Sequence, residues 1–291
     1  MTATNYDLAV AYRIYPKVSK EPPVFSDNKL KLAELCLKSF KNSLGSLKVK
    51  MWALLDNCPS EYEELFKKYF DINDLEIIKL PGIGNRGTLK KQIHILSEQN
   101  VSKIVYFAED DYFYMPNQFE TMVNFIRNSK DVDFLSPYDN PDYYNLDLHR
   151  YSSKIKIFGN RHWRSVSCTT VTFLTSRENL RKVKNVIGTY SKETTYTKGN
   201  YDSSYWMSLT KYKVFNLFAL IKYLVLGDRN FFRIAKAWFF CWWQILFGKR
   251  WKLWVPTPSI ATHMESNGLA PNIDWLKLMD KEINEMNSRG C

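Results

Sequence analysis

Three consecutive acidic residues, Glu109, Asp110 and Asp111, follow a short apolar segment that begins at Lys103. The segment is rich in β-branched and aromatic residues and is typical of a buried strand. Adjacent carboxylates repel one another, so near a core they need cations, amide groups or solvent as partners. A divalent cation such as Mg²⁺ or Mn²⁺ that also holds a diphosphate suits this chemistry. A solvated acidic turn that caps the next helix explains the triplet equally well.

The triplet ends the fourth strand of an alternating series of strands and helices. The first three predicted strands cover residues 6–14, 49–55 and 75–80, and a helical pattern follows each of them. The connections between these strands are long enough to contain a helix that crosses over the sheet. They therefore predict an α/β fold, with a mostly parallel sheet and helices on both faces. Ligands bind at the carboxyl ends of the strands in such sheets, and the triplet lies at such an end.

Two other features fall on the same edge of the predicted sheet. Asp56 ends the second strand, and residues 82–87 form a Gly-containing loop after the third strand. We expect Thr88 to cap the helix that follows this loop, and such a helix start can bind anions. The loop spacing matches neither the dinucleotide fingerprint nor the P-loop, so alone it is a weak signal.

The later part of the predicted core contains one more candidate acid. Residues 132–135 and 163–175 are predicted strands, and the polar, aromatic stretch 137–159 between them suits either a ligand rim or a solvated loop. Asp202 begins a predicted helix. Its carboxylate is equally suited to capping that helix and to chemistry.

The composition of the 291-residue chain is that of a globular protein that can bury a sizeable core, with 45% hydrophobic residues. Its net charge of +11 favours anionic partners, such as nucleotide phosphates, an acidic membrane surface or nucleic acid. Five scattered cysteines without a CxxC pair predict a reducing, cytosolic location. The first residues show no secretory signal.

Residues 211–254 differ in character from the rest of the chain. They contain nine Lys and Arg residues and one acid, and two apolar runs at 214–226 and 234–247. Each run is shorter than the roughly 20 residues that cross a bilayer. An aromatic amphipathic helix with a cationic edge predicts an anionic membrane surface as partner, whereas packing on the sheet or on a second subunit is the alternative. Because no nucleic-acid module is recognisable, nucleic-acid binding is not expected. In the second run one stripe carries Arg233, Lys236 and Gln244, and the other carries Trp238, Phe239, Trp242, Trp243, Ile245 and Leu246.

A late histidine, His263, ends a short strand-like segment near the C-terminus, before a predicted helix over 274–287. Most single histidines are hydrogen-bonded structural residues. His263 becomes a candidate metal ligand only if the chain returns to the acidic triplet.

Residues 107–111 and the following residues 112–119 resemble the DxD-type motif of GT-A glycosyltransferases. The shared features are an apolar strand, a Glu-Asp-Asp triplet, a short apolar link, a Pro and a Phe. Asp56, the turn at 85–87 and the late His263 support the resemblance, which covers most of residues 6–268 in order and spacing. The chain departs from family-2 members in its first loop, and it lacks their Asp-rich turn after the second strand.

The resemblance implies a metal site made from the triplet and the late histidine. Asp111, either alone or together with Glu109 or Asp110, is expected to hold Mn²⁺ or Mg²⁺ against the diphosphate of the donor. His263 is expected to complete the coordination or to contact the phosphate.

The resemblance also implies the residues that bind the nucleotide and activate the acceptor. Asp56 is expected to hydrogen-bond the base, and Arg13 and Arg86 to contact the nucleotide. Asp202 is our candidate for the general base of an inverting reaction. If the enzyme retains configuration, Asp202 loses that role.

We therefore predict a metal-dependent glycosyltransferase that uses a nucleotide-diphosphate sugar donor and a glycan or lipid-linked acceptor, in assembly of a surface polysaccharide or glycolipid. It is expected to be cytoplasmic and peripheral on the inner face of a membrane. The predicted core comprises a nucleotide-sugar half (1–115) and an acceptor half (116–210). Membrane-interfacial helices (211–254) and a segment that returns to the active site (255–291) follow.

Two other functions are consistent with parts of this sequence. A sugar-phosphate nucleotidyltransferase also uses acids and a metal, but it usually has a Gly-rich loop after its first strand, and residues 13–23 contain no glycine. A non-enzymatic basic adaptor for membranes or nucleic acid would carry the triplet as surface acid. Loss of metal-dependent turnover in Asp111→Asn separates an enzyme from an adaptor.

Overall fold

A computed structural model of the protein describes residues 5–18, 20–149, 152–191 and 202–288. Asp202 belongs to this set as backbone only. The strands are β1 (Leu8–Ile14), β2 (Val49–Asp56), β3 (Leu75–Leu80), β4 (Ile104–Glu109), β5 (Tyr112–Tyr114), β6 (Phe134–Leu135), β7 (Ile155–Phe158), β8 (Arg161–Val166), β9 (Phe173–Ser176), β10 (Leu253–Thr257) and β11 (Ala261–His263).

Within the described residues, nine strands form one sheet in the order β3-β2-β1-β4-β9-β6-β10-β8-β7. All of them run in one direction except β8 and β9, which are antiparallel to their neighbours. The remaining two strands, β5 and β11, pair antiparallel in a small separate sheet. The predicted α/β fold with a mostly parallel sheet and flanking helices is confirmed.

Helices cover both faces of the large sheet. One face packs against α1, α2, α4 and α10, and the other packs against α3, α6, α7 and α9. The helices are α1 (Lys29–Ser43), α2 (Glu61–Tyr69), α3 (Gly84–Glu98), α4 (Phe119–Asn128), α5 (Asp142–Asn145), α6 (Arg177–Ile187), α7 (Asp202–Thr210), α8 (Leu217–Val225), α9 (Arg229–Phe247) and α10 (Trp275–Ser288).

The central strand β1 shows why the chain forms this layered sheet. Every residue of β1 is buried, as expected for a strand that is covered on both faces. Tyr12 points into the layer of α1 and α2, where its ring makes edge contacts with Phe40 and Phe66. Ala9 and Ala11 point into the opposite layer. The continuous apolar run of β1 therefore serves two cores.

Two local predictions differ from the structure. The helix after the third strand begins at Gly84, and Thr88 lies inside it, where its hydroxyl donates to the Gly84 carbonyl at 3.0 Å. Residues 163–175 do not form one strand. They contribute to β8 and β9, with a loop at 167–172 between them.

The segment 211–254 forms the helix pair α8 and α9, and α9 is kinked at Cys241. Among the described residues, no helix has both the length and the hydropathy that crossing a bilayer requires. The sequence predicts Trp238 and Ile245 on the outer stripe of α9, but Ile245 is fully buried and the Trp238 indole donates to the Val214 carbonyl at 2.9 Å. Neither side chain belongs to the exposed apolar residues of α9.

Candidate active site

A cavity of about 550 Å³ opens at the carboxyl ends of β1, β2 and β4. The acidic triplet ends β4, Arg13 lies near the end of β1, and Asp56 ends β2. All of these residues line the cavity. The parallel pairing of β1 with β4 puts Arg13 directly beside Glu109 in register.

Two of the three acids are paired with cations of the protein. Arg13 Nη2 forms an ion pair with Glu109 Oε1, and Glu109 Oε2 accepts a hydrogen bond from the Thr172 hydroxyl at 2.8 Å. Lys29 Nζ lies 2.7 Å from Asp110 Oδ2, and both side chains are largely buried. Burial alone would lower the pKa of Lys29, but the negative charges of Asp110 and Asp111 raise it above its usual value.

Lys29 is a site residue that the sequence analysis missed. It is the first residue of α1, and its neighbour Asn28 caps the helix by accepting from the Lys31 amide at 3.0 Å. The apolar spacing of α1 predicts the helix, but it does not indicate that the first turn lies against the end of β4. Only the tertiary structure brings Lys29 to the cavity.

The third acid, Asp111, meets the late histidine. His263 Nε2 lies 3.2 Å from Asp111 Oδ2. The small antiparallel sheet explains this contact, because β11 places His263 opposite Tyr112, and the Met264 amide donates to the Asp111 carbonyl at 2.8 Å. On its other side, His263 Nδ1 lies 3.5 Å from Glu265 Oε2. The chain thus returns to the triplet, which is the condition for His263 to be a candidate ligand.

The charges of the Asp111–His263 pair stabilise each other. Burial opposes ionisation of both groups, but the neighbouring imidazole holds the pKa of Asp111 below its usual range. In turn, the Asp111 carboxylate raises the pKa of His263, although burial would lower it. The pair therefore carries an ionised carboxylate that can serve a cation.

The Asp111–His263 pair fits part of a divalent-metal site. Asp111 Oδ1 is buried and has no hydrogen-bond partner among the described residues, so one ligand atom is available. No group of three or more His, Cys, Asp or Glu side chains arranged for a metal occurs in the described part of the chain. Ions of the Mg²⁺ type are often held by one or two carboxylates plus substrate phosphates, so Asp111 is compatible with such an ion. His263 joins the donor set only as the neutral imidazole, so a bound metal has to displace the proton that Asp111 favours on this ring.

Asp56 organises the loop that enters α3. Its Oδ1 accepts from the amides of Gly82 at 2.9 Å and Ile83 at 2.7 Å, and its Oδ2 accepts from the Gly84 amide at 2.8 Å. Gly82 and Gly84 both have positive φ angles, which glycine adopts without strain. The Asp56 carboxylate thus provides the helix cap that the sequence analysis assigned to Thr88. Its contact with a base stays a prediction.

The remaining predicted site residues differ in their relation to the cavity. Arg13 also donates to the Asn85 carbonyl at 2.8 Å, which ties β1 to the start of α3. Arg86 is half-buried on α3 and is not among the residues that line the cavity. Asp202 begins α7, but its side chain lies outside the described residues, so its predicted role as general base is untested.

No family model and no curated protein matches this chain. Solved structures that are similar to it include the mannosyltransferase PcManGT from Pyrobaculum calidifontis in complex with GDP-Man and Mn²⁺ (14% identity, 73% of this chain, TM-score 0.43). They also include residues 1–349 of TarS from S. aureus (13%, 69%, 0.42) and glucosyl-3-phosphoglycerate synthase from Mycobacterium tuberculosis (10%, 59%, 0.34). This chain spans 53%, 54% and 57% of those three chains, respectively. Similarity at this level does not identify a function.

Proposed function

We propose that this protein is a divalent-metal-dependent glycosyltransferase that moves a sugar from a nucleotide-diphosphate donor to a glycan or lipid-linked acceptor. One observation carries the proposal. At the carboxyl edge of the sheet, Asp111 keeps one buried oxygen without a partner among the described residues while its other oxygen contacts His263. Ligands bind at this edge in open α/β sheets.

The three acids have two different roles in this proposal. Asp111 and His263 would hold Mn²⁺ or Mg²⁺, and the bound ion would act as a Lewis acid that offsets charge on the departing nucleoside diphosphate. Arg13 and Lys29 neutralise Glu109 and Asp110, so these two acids do not repel an incoming diphosphate. The triplet therefore offers one carboxylate oxygen without a partner among the described residues, while cations offset the charges of the other two acids.

The remaining roles come from the resemblance and, for Arg13 and Asp56, also from their place in the lining of the cavity. Arg13 and Asp56 line the cavity, where they can contact a nucleotide and its base, and we keep Arg86 as a nucleotide contact at the start of α3. For transfer with inversion, a carboxylate must accept the proton of the acceptor hydroxyl, and we assign that step to Asp202. The inverting mechanism is part of the proposal.

The outer face of the helix pair supports peripheral binding to a membrane. Phe218 on α8 and Phe239 and Phe247 on α9 are 81%, 75% and 81% exposed. Exposed apolar side chains in this number on one helix pair are typical of a binding surface, and the nine cations of residues 211–254 favour an anionic lipid surface. We infer a cytoplasmic protein on the inner face of a membrane, beside a lipid-linked or glycolipid acceptor of surface polysaccharide assembly. Other exposed apolar residues of this pair are Leu217, Ile221, Leu224, Val225, Phe232, Trp242, Trp243 and Leu246.

A panel of nucleotide sugars tests the enzymatic proposal. The full chain is incubated with each donor in Mn²⁺, Mg²⁺ or EDTA, and both the melting temperature and donor hydrolysis are measured. We expect one group of donors to stabilise the protein and to be hydrolysed in the presence of metal, because a ligand of the folded state raises its stability. If every donor leaves both readouts unchanged, the proposal is wrong. Turnover of a nucleoside triphosphate with a sugar phosphate would instead identify a nucleotidyltransferase.

A further inference from the structure

A second, smaller cavity of about 170 Å³ lies beside β8 and the start of β10. Three cations line it, Lys154, Arg250 and Lys252, and none of the described residues that line it is acidic. Because β10 runs parallel to β6 in the large sheet, its start lies at the opposite edge from the acidic triplet. This basic cavity is therefore separate from the candidate active site.

The cations of the basic cavity are poorly neutralised by the protein. Within the described residues, Lys154 Nζ has no ion pair, and Arg250 uses only its Nε, which donates to the Thr210 carbonyl at 3.0 Å. Lys252 Nζ lies 3.7 Å from Asp131, a carboxylate that also pairs with Lys156. Exposed cations that line one cavity repel one another, and an anion or solvent offsets that repulsion.

Neutral hydrogen-bond donors complete the lining of the basic cavity. Ser152, Ser165 and Tyr212, which carry hydroxyl groups, all line it. Ser165 Oγ accepts from the Lys154 amide at 2.9 Å, so its own proton is directed to another acceptor. A guanidinium group, ammonium groups and hydroxyls are the groups that bind phosphate oxygens. The cavity is smaller than the pockets that enclose drug-sized ligands, which suits a single oxyanion.

We propose that the basic cavity binds a phosphate group, and that its source is the headgroup of an anionic membrane lipid. Thr210, which ends α7, and Arg250, which follows α9, both line it, so the cavity lies where the α8–α9 pair leaves and rejoins the core. The last residue of α9, Phe247, is 81% exposed only three positions before Arg250. An apolar side chain that suits acyl chains is thus three residues away in the chain from a cation that suits a headgroup. The choice of lipid as the source rests on the proposed membrane association, whereas the phosphate site itself does not.

Inorganic phosphate tests the cavity without any membrane. The full chain, the double variant Lys154→Gln with Arg250→Gln, and the charge-matched control Lys67→Gln with Lys68→Gln on α2 are melted in phosphate and in chloride of equal ionic strength. Both cavity side chains are exposed, and the melting temperature in chloride verifies that each variant folds. We expect phosphate to raise the melting temperature of the wild type and the control, and at least half of that rise to be lost in the cavity variant. Equal rises in all three proteins would overturn the proposal, as would no rise in any, because phosphate then binds elsewhere or not at all.

Vesicles separate the two sources of phosphate. Flotation with phosphatidylcholine vesicles, with and without phosphatidic acid, is measured for the same three proteins. We expect binding to phosphatidic acid vesicles to fall about tenfold in the cavity variant and to change less than about threefold in the control, since cations at an anionic surface each contribute strongly. If only the phosphate-dependent melting is lost, the cavity takes free phosphate and the lipid source is overturned. If the wild type binds no vesicle, the membrane proposal fails while the melting result still decides the cavity.

Discussion

The candidate active site and the basic cavity are both lined by cations, but the cations have different partners. In the active site Arg13 and Lys29 are each paired with an acid of the triplet. In the basic cavity, Lys154 and Arg250 have no ion pair among the described residues. The first arrangement leaves one ionised carboxylate for a metal, and the second leaves positive charge for an anion. Charge pairing, rather than charge count, distinguishes the ligands that the two sites suit.

Two buried histidines show the same contrast. Although burial alone would lower the pKa of His263, the Asp111 carboxylate raises it. In His149, on the side of the helix pair, burial and the positive charges of Arg233 and Lys213 lower the pKa to about 4. His149 Nδ1 lies 3.2 Å from the Ser167 hydroxyl, a neutral partner. The pKa of each histidine therefore reflects the charges of the region that surrounds it.

The largest expected effect comes from removing the available carboxylate of the active site. Asp111→Asn should lower metal-dependent turnover by about a thousandfold, because a metal contributes several kcal/mol to the stabilisation of leaving-group charge. Initial rates over a series of Mn²⁺ concentrations measure the change. As the control, Asp110→Asn removes an acid that already pairs with Lys29, so its Mn²⁺ half-saturation should stay close to the wild-type value. Equal losses of Mn²⁺ response in the two variants would contradict the contrast between paired and available acids.

The second effect is on the stability of the paired acids. Lys29→Met leaves Asp110 buried without its cation, and we expect the free energy of unfolding to fall by about 3–4 kcal/mol in urea titrations. Adding Asp110→Asn to this variant should recover part of the loss. In the control Lys68→Met, an exposed pair with Glu34 is broken, which should cost less than about 1 kcal/mol. A loss of similar size in Lys29→Met and Lys68→Met would show that the active-site pair is solvated.

The third effect tests the outer face of α9. Trp242→Glu with Trp243→Glu should lower partitioning onto anionic vesicles by about a hundredfold, since each large apolar side chain that leaves water contributes about 1.5–3 kcal/mol. Both side chains are partly exposed, so the fold should tolerate the change. The control Ile72→Glu with Leu276→Glu adds the same charge at exposed positions away from α9 and should bind vesicles nearly as the wild type does. Unchanged binding of the Trp variant would remove the membrane proposal.

The smallest effect concerns the pH dependence of stability. Below about pH 6.5 an unfolded His149 gains a proton that the folded state resists until about pH 4, so acid destabilises the fold through this group. Between pH 7.5 and pH 5, the wild type should lose about 2 kcal/mol more than His149→Gln does. Urea titrations at several pH values measure the difference, with the exposed position His162→Gln as control. Parallel curves for the wild type and His149→Gln would show that His149 is not held neutral.

The sequence predicts those parts of the protein that are encoded by neighbouring residues. The apolar run of β4 and the three acids after it are a local pattern, and the predicted α/β order of strands and helices is confirmed. The chain returns to the triplet because β11 pairs with β5. The sequences of two such short strands do not indicate that they pair. The sequence therefore predicts His263 as a metal ligand only on the condition that the chain returns to the triplet.

The residues that the sequence does not predict contact elements that are distant from them in the chain. Lys29 belongs to α1 but pairs with an acid after β4, and the cap of α3 is the carboxylate of Asp56 at the end of β2. Thr88 is a good capping residue by type, but Asp56 lies closer to the amides in three dimensions. In the same way, Ile245 is buried although its spacing places it on the outer stripe of α9. Neither hydrophobic periodicity nor residue type indicates which residues from distant parts of the chain lie close together in the fold.

Direct measurement of Mn²⁺ binding tests the central claim, which is that Asp111 and His263 hold a divalent metal at the edge of the sheet. Electron paramagnetic resonance counts free Mn²⁺ in titrations of the wild type, Asp111→Asn, His263→Ala and Asp110→Asn, each with a nucleoside diphosphate present. We expect one bound Mn²⁺ in the wild type and in Asp110→Asn, and affinity reduced at least about tenfold in Asp111→Asn and His263→Ala. If all four proteins bind Mn²⁺ equally, or if the wild type binds none, the triplet is not a metal site.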